Sequence, residues 1–243
     1  TRPGAYLAGS FGQPVADFYK RFSGVATLIL ALICVYRLAD FVLNIMPPFY
    51  LDLGFTKTEL AEVRKVFGVI MTTLGVFIGG WSVARLGLIR TMVIGAFMSP
   101  VSNLIFAWLA TQGHSLSALA IAIGIDNSSS GYAGTALIAY MSSLTSIGFT
   151  ATQYALFTSL YALPGKLIAS QSGRIVEASA RAAEGNGPFA GLRGLFANLQ
   201  EGVLTTGAAT SGVSPAALGA GYVAFFLYSF VIGLFGIALA FVV

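Results

Sequence analysis

The sequence predicts an all-α integral membrane protein that crosses the bilayer six times. Three observations carry that expectation. Hydrophobic residues make up 56% of the 243-residue chain and charged residues only 9%, whereas a soluble domain carries roughly 25% charge. Six apolar runs each approach the ~20 residues that a helix needs to cross the hydrocarbon core. Turn signals separate those runs. At a mean hydropathy of +0.83 the chain has too few polar side chains to keep a shell in water. A β-barrel would show alternating strands of about ten residues, and the runs are too long and too uniform for that.

The elements follow in order. Residues 1–24 are polar and aromatic, with Phe11, Val15, Phe18 and Phe22 in a helical stripe opposite Asp17, Lys20 and Arg21. That pattern predicts an amphipathic lead-in helix on the cytoplasmic surface. The first apolar run is too long for the core of a signal peptide and lacks a cleavage site. Because Thr1 is not an initiator Met and Val243 falls within a span, the chain reads as processed or as a piece of a longer protein.

The predicted spans are Val25–Met46, Leu60–Val83, Arg90–Thr111, Leu116–Met141, Thr150–Ser172 and Gly221–Val243. Pro47-Pro48 ends the first, and Leu86-Gly87, Gln112-Gly113 and Ser142–Gly148 mark later turns. Pro164-Gly165 predicts a break or kink in the fifth span. Residues 173–219 form a long extracytoplasmic connection rich in Gly, Ala, Ser and Thr. Within it Phe189, Leu192, Leu195, Phe196, Leu199 and Val203 recur at helical spacing. That repeat predicts an amphipathic helix, either packed on the bundle's own outer end or lying in the interface to dock a partner.

Orientation follows from Lys and Arg in the short loops. Lys20, Arg21, Arg85 and Arg90 mark one face, whereas the loop with Asp52, Glu59 and Glu62 holds only Lys57 and the His114 loop holds no Lys or Arg. The basic face, and the N-terminus with it, is expected in the cytoplasm.

Charge inside the spans is unevenly placed. Apart from Glu62 and Arg90 at span ends, the first holds Arg37 and Asp40, the second Arg64 and Lys65, the fourth Asp126 and the fifth Lys166, while the third and sixth hold none. Two charged helices and a bare one thus occur twice. A charge facing lipid costs ~2.5–3.5 kcal/mol on the insertion scale, so charged helices turn toward an interior. At 1.5 Å per residue, Asp40, Lys65 and Lys166 lie roughly 8–9 Å from the external end of their spans, and Arg37 and Asp126 roughly 14–16 Å. These residues either pair to hold the bundle together or line a cavity for substrate or protons. Arg37 and Asp40, at i,i+3, are able to satisfy each other. Asp126 has no charged neighbour in sequence and is the better titratable candidate. Around it Asn127 and a run of small residues through Thr135 favour close helix packing.

Gly79-Gly80 followed by Arg85-Leu86-Gly87 and Arg90 resembles the major facilitator superfamily signature at a cytoplasmic turn, with Ala84 in place of its acidic residue. A closer resemblance is to bacterial muropeptide permeases, the anhydromuropeptide:proton symporters. It rests on Tyr36-Arg37-Leu38-Ala39-Asp40-Phe41, Lys65 to Gly68, Asp126-Asn127 with Gly131 to Thr135, and most specifically Phe149-Thr150-Ala151-Thr152-Gln153-Tyr154-Ala155-Leu156. The resemblance covers about Pro14 to Val176 and is to the C-terminal six-helix half of such proteins. It implies a 3+3 inverted repeat in a bacterial inner membrane, with substrate held between two halves. Arg37, Asp40, Lys65, Asp126, Asn127 and Lys166 are then the candidates for a substrate or proton pathway. The connection 173–219 is longer than the resemblance leads one to expect.

One half cannot perform alternating access alone. The chain is therefore expected to be part of a transporter for muropeptide-like or other small solutes, to pair with a second copy, or to be a structural subunit of a larger membrane complex. The expected partners are the bilayer and whatever covers the charged face, a second half or another subunit. No nucleic-acid partner is expected, because the basic residues are scattered singly. No cofactor or metal is expected, since Cys34 stands alone, and no motif points to an enzyme.

Overall fold

The computed structural model describes residues 3–242, with side chains other than those of 3–11, 41–43 and 168. The described residues contain helices and turns and no strand. In chain order they are α1 (Pro3–Arg21), α2 (Ala26–Val35), a 3-10 segment (Leu38–Ile45), α3 (Met46–Asp52) and α4 (Lys57–Glu62). A π-helical segment (Val63–Gly68) joins α4 to α5 (Val69–Leu86), and α6 (Leu88–Gln112), α7 (Leu116–Leu144) and α8 (Thr150–Ala169) follow. Then come α9 (Ser172–Glu184), a 3-10 segment (Ala190–Phe196), α10 (Thr205–Ser211) and α11 (Pro215–Val242).

The continuous run Lys57–Leu86, α6 and α11 are each long and apolar enough to cross a membrane. Residues Gly12–Arg21 and Ala26–Asp40 would make a fourth crossing if counted as one element, but they meet at a 110° bend. Helices α7 and α8, of 29 and 20 residues, have the length for a crossing. Their apolar character is diluted by segments such as Asp126 to Ser130 in α7 and Thr150 to Gln153 in α8. The turns expected at Leu86-Gly87 and Gln112-Gly113 are present. Gly87 and Gly113 adopt φ of 86° and 61°, a region that glycine enters without a Cβ clash.

Helix α6 packs between α11 and α7, and α5 packs on the far side of α7. Helices α6 and α11, without charge apart from Arg90 at the start of α6, therefore bury one face against each other and turn an apolar face outward, through Phe97 on α6 and Phe235 on α11. Helix α5 buries little more than Gly75, Gly79 and Ser82; Val69, Phe77 and Trp81 on its other side are exposed. Two apolar cores result. One, at the end bearing Asp52 and His114, centres on Phe49, Phe55, Phe106, Leu119 and Phe226. The other, at the end bearing Arg21, centres on Phe18, Ile33, Tyr36, Met92, Tyr140 and Phe157.

Four expectations need correction. The stretch Val25–Met46 is not one helix: α2 ends at Val35 and a 3-10 segment begins at Leu38. Pro47-Pro48 does not end a helix but opens α3, because a proline in a first turn lacks only an N–H that would have no partner there. Of the break or kink expected at Pro164-Gly165, the break is absent, since Pro164 lies inside a continuous α8. Between Phe189 and Val203 there is only a short 3-10 segment and turns. Glycines at 187, 191, 194 and 202 weaken any helix there, and the apolar side chains serve packing instead. Phe196 and Val203 are buried, and Phe189, Leu192 and Leu199 pack on the outer core. This segment caps the bundle's own outer end.

In the lead-in, Phe18 of α1 is buried against Phe157 of α8, whereas Val15 is exposed. The side chain of Phe11, the first member of that stripe, lies outside the described residues.

Candidate functional site

The break after α2 shapes the central site. Ending α2 at Val35 frees backbone groups in a setting where each needs a partner. The carbonyl of Ala39 receives two side-chain donors, Asn103 Nδ2 at 2.9 Å and Ser229 Oγ at 3.0 Å. Asn103 also donates to Ser229 Oγ at 2.9 Å. The break is thus held by α6 and α11, two long helices with no charge beyond Arg90 in the first turn of α6. Tyr36 Oη donates to the carbonyl of Met92 at 2.9 Å, fixing the start of the break on α6.

Directly at the break, Arg37 and Asp40 form an ion pair and a hydrogen bond. Both are mostly buried, with side-chain exposures of 16% and 11%. Ser99 of α6 donates to the other oxygen of Asp40. Arg37 Nη2 reaches across to Ser130 Oγ of α7 at 2.8 Å. Ser130 lies four residues after Asp126, on the same face of α7. Ser102 Oγ lies 2.8 Å from the carbonyl of Ser99 and 3.3 Å from Asp126 Oδ1, its one proton shared between the two acceptors. One guanidinium and two carboxylates therefore meet among α2's broken end, α6 and α7, linked by three serines.

The other candidates are placed differently. Asn127 sits beside Asp126 and approaches Gly68, where an added Cβ would meet its amide nitrogen. Lys65 and Lys166 are exposed, and neither forms an ion pair among the described residues. At the signature turn, Gly79 lies against Tyr132 and Thr135 of α7, while Gly80 faces open space. Arg85 and Arg90 are exposed at the same end as Arg21.

The sequence reading counted charges and so passed over Ser99, Ser102, Asn103 and Ser229. A signal was present: Ser99, Ser102 and Asn103 recur at i, i+3 and i+4 in an otherwise apolar helix, which puts them on one face. Gln153, within the most specific motif, is buried and ties α1 to α8 rather than facing the charged cluster.

No protein-family model matches the chain. A Rickettsia conorii protein named "Putative transporter AmpG 4" is 37% identical over 163 residues, covering 67% of this chain and 39% of the relative. AmpG 3 of Rickettsia prowazekii is 36% identical over 156 residues, covering 64% of this chain and 37% of its own length. AmpG 1 of Rickettsia felis is 31% identical over 147 residues, with coverages of 60% and 33%. The matched stretch spans less than half the length of each relative.

Proposed function

We propose that this chain, homologous over about two thirds of its length to transporters named AmpG, is one six-helix half of a proton-coupled importer in a bacterial inner membrane. The half would be the C-terminal one, a 3+3 repeat with its N-terminus in the cytoplasm, importing muropeptide-like or other small solutes. The observation that carries this reading is the imbalance of charge at the helix break. Arg37 compensates Asp40, which leaves Asp126 with a hydroxyl donor and no ion pair among the described residues. A carboxylate in an apolar bundle is costly unless it takes up a proton or gains a cation. Proton uptake at Asp126 from one side and release to the other would bias the bundle between two arrangements. Interrupted helices commonly form the binding sites of such transporters, about which one half rocks against the other. Asn127, Lys65 and Lys166 would contact substrate or the second half.

The test uses the full-length protein in membrane vesicles with an imposed pH gradient. Asp126→Asn should abolish proton-driven uptake of anhydro-muropeptide while the protein stays folded. Unchanged uptake would remove Asp126 from the mechanism.

A second reading, a transporter-derived bundle serving as an accessory subunit of a larger complex, is favoured by the internally paired Arg37 and Asp40. Mild-detergent purification separates the two. Recovery with an unrelated membrane subunit and no uptake supports the subunit, and uptake by the protein alone ends that reading.

A further inference from the structure

The outer end holds a second polar site that shares no residue with the cluster at the helix break. Asp52 closes α3, and its backbone carbonyl accepts the N–H of Leu204 at 2.6 Å. Leu204 is fully buried and has φ of 63°, a left-handed backbone costly for a leucine and held here by its surroundings. The Asp52 carboxylate accepts from Tyr222 Oη of α11 at 2.6 Å. On α10 it lies so close to Gly207 that a Cβ there would collide with it. Tyr222 thus bonds the carboxylate, the Gly207 backbone packs closely against it, and Leu204 holds the backbone of the same residue.

That carboxylate lines a cleft of about 310 Å³, near the lower bound for small-molecule sites. Thr206, Thr210 and Ser211 of α10 supply hydroxyls, and Pro48 and Val176 supply apolar wall. The lining includes a second carboxylate, Glu177, but no Lys, Arg or His. Glu177 is drawn to Arg181 at 3.6 Å on the exposed rim. Asp52 has no ion pair among the described residues. Burial pushes its carboxyl above the usual range, opposed by the bond from Tyr222. A partly buried carboxylate without a cation is an unfavourable arrangement, and the rigid support of Asp52 keeps it in place.

We propose that this cleft binds a small organic cation, a primary ammonium on a hydroxylated body, with Asp52 as its counter-ion and the α10 hydroxyls holding the rest. The mixed wall suits such a molecule better than a bare ion, because apolar and hydroxyl groups contact the body while a single carboxylate meets the charge. The site belongs to the extracytoplasmic cap and is independent of the transport reading.

The test is calorimetric titration of the purified chain in detergent with serinol, and with glycerol as its matched neutral counterpart. Serinol should bind at least tenfold more tightly than glycerol. Asp52→Asn should lose that preference. Should that variant fail to fold, Thr210→Lys at an exposed position puts a tethered ammonium into the cleft and should abolish serinol binding. Equal binding of serinol and glycerol, or full serinol binding by a folded Asp52→Asn or Thr210→Lys variant, would overturn the proposal.

Discussion

The guanidinium of Arg21 donates to the carboxamide oxygen of Gln153 at 3.1 Å, joining a helix before the bundle to one 132 positions later. Gln153 is only 1% exposed, and its amide uses every direction. Its Nε2 donates to the carbonyl of Pro14 at 2.9 Å and to Asp17 at 3.0 Å, while its Oε1 also accepts the N–H of Ser146 at 2.8 Å. Arg21 adds bonds to Asp17 and to the carbonyl of Leu144.

Gln153→Leu keeps roughly the volume but leaves those donors and acceptors short of partners. Unsatisfied buried groups cost about 1–3 kcal/mol each, so the variant should melt at a lower temperature. It should also be cleaved faster by trypsin after Lys20 and Arg21, as α1 comes away from α8. Unaltered cleavage would mean that Gln153 does not hold α1.

The α5–α7 crossing depends on two glycines. A Cβ on Gly75 would collide with the backbone of Ser128, and one on Gly131 with the backbone of Thr72 and Val76. Overpacking of this kind typically costs 1–3 kcal/mol, so Gly131→Ala should be markedly destabilising in a detergent melt. Gly80→Ala, on α5 and facing open space, should be neutral or slightly stabilising. Equal effects of the two substitutions would contradict the crossing geometry.

The helix break gives a graded expectation. Ser229→Ala and Asn103→Ala each remove one of two donors to the Ala39 carbonyl and the bond between the two side chains, but Asn103→Ala also empties the larger buried volume. Side-chain hydrogen bonds between membrane helices average about 0.6 kcal/mol in double-mutant cycles. Asn103→Ala should therefore be the more destabilising single change, and the double mutant less costly than the sum. Strict additivity in a thermal-stability cycle would show that the two side chains do not bond each other.

Topology is open to direct labelling. The basic residues Arg21, Arg85 and Arg90 lie at one end of the bundle, and Asp52, Glu59, His114 and the 173–219 connection at the other. A cysteine introduced near Arg85 should react with an impermeant maleimide only from the cytoplasmic side, and one near Gly185 only from outside. The opposite pattern would invert the orientation and detach it from the charge bias of the loops.

Much of the architecture follows from local chemistry and could be read without coordinates. Long apolar runs are forced into helices because backbone groups in lipid must bond within their own segment. For that reason α5, α6 and α11 fall close to where composition puts them. The turns at Gly87 and Gly113 were legible because an apolar run stops there at a residue that tolerates positive φ. The motif residues around Tyr36, Asp126 and Gln153 carried the resemblance to muropeptide permeases, which the AmpG relatives bear out.

What the sequence by itself determined, then, is the helical membrane class, the position of the apolar helices, and the occurrence of Arg37, Asp40 and Asp126 in largely apolar stretches. Only the tertiary structure decided that Arg37 pairs with Asp40, that Ser102 alone of the serines reaches Asp126, and that Lys65 and Lys166 stay exposed. It also decided that the helix breaks after Val35 and that Phe196 packs into a cap instead of a helix face. The physical reason is common to all of these. A broken helix, an isolated carboxylate or an apolar side chain in a Gly-rich loop is stable only if another segment satisfies or covers it. Asn103 and Ser229 do so at the break, Ser102 at Asp126, and Gly219 of α11 by lying against the Phe196 ring, and no local pattern announces which of them will arrive.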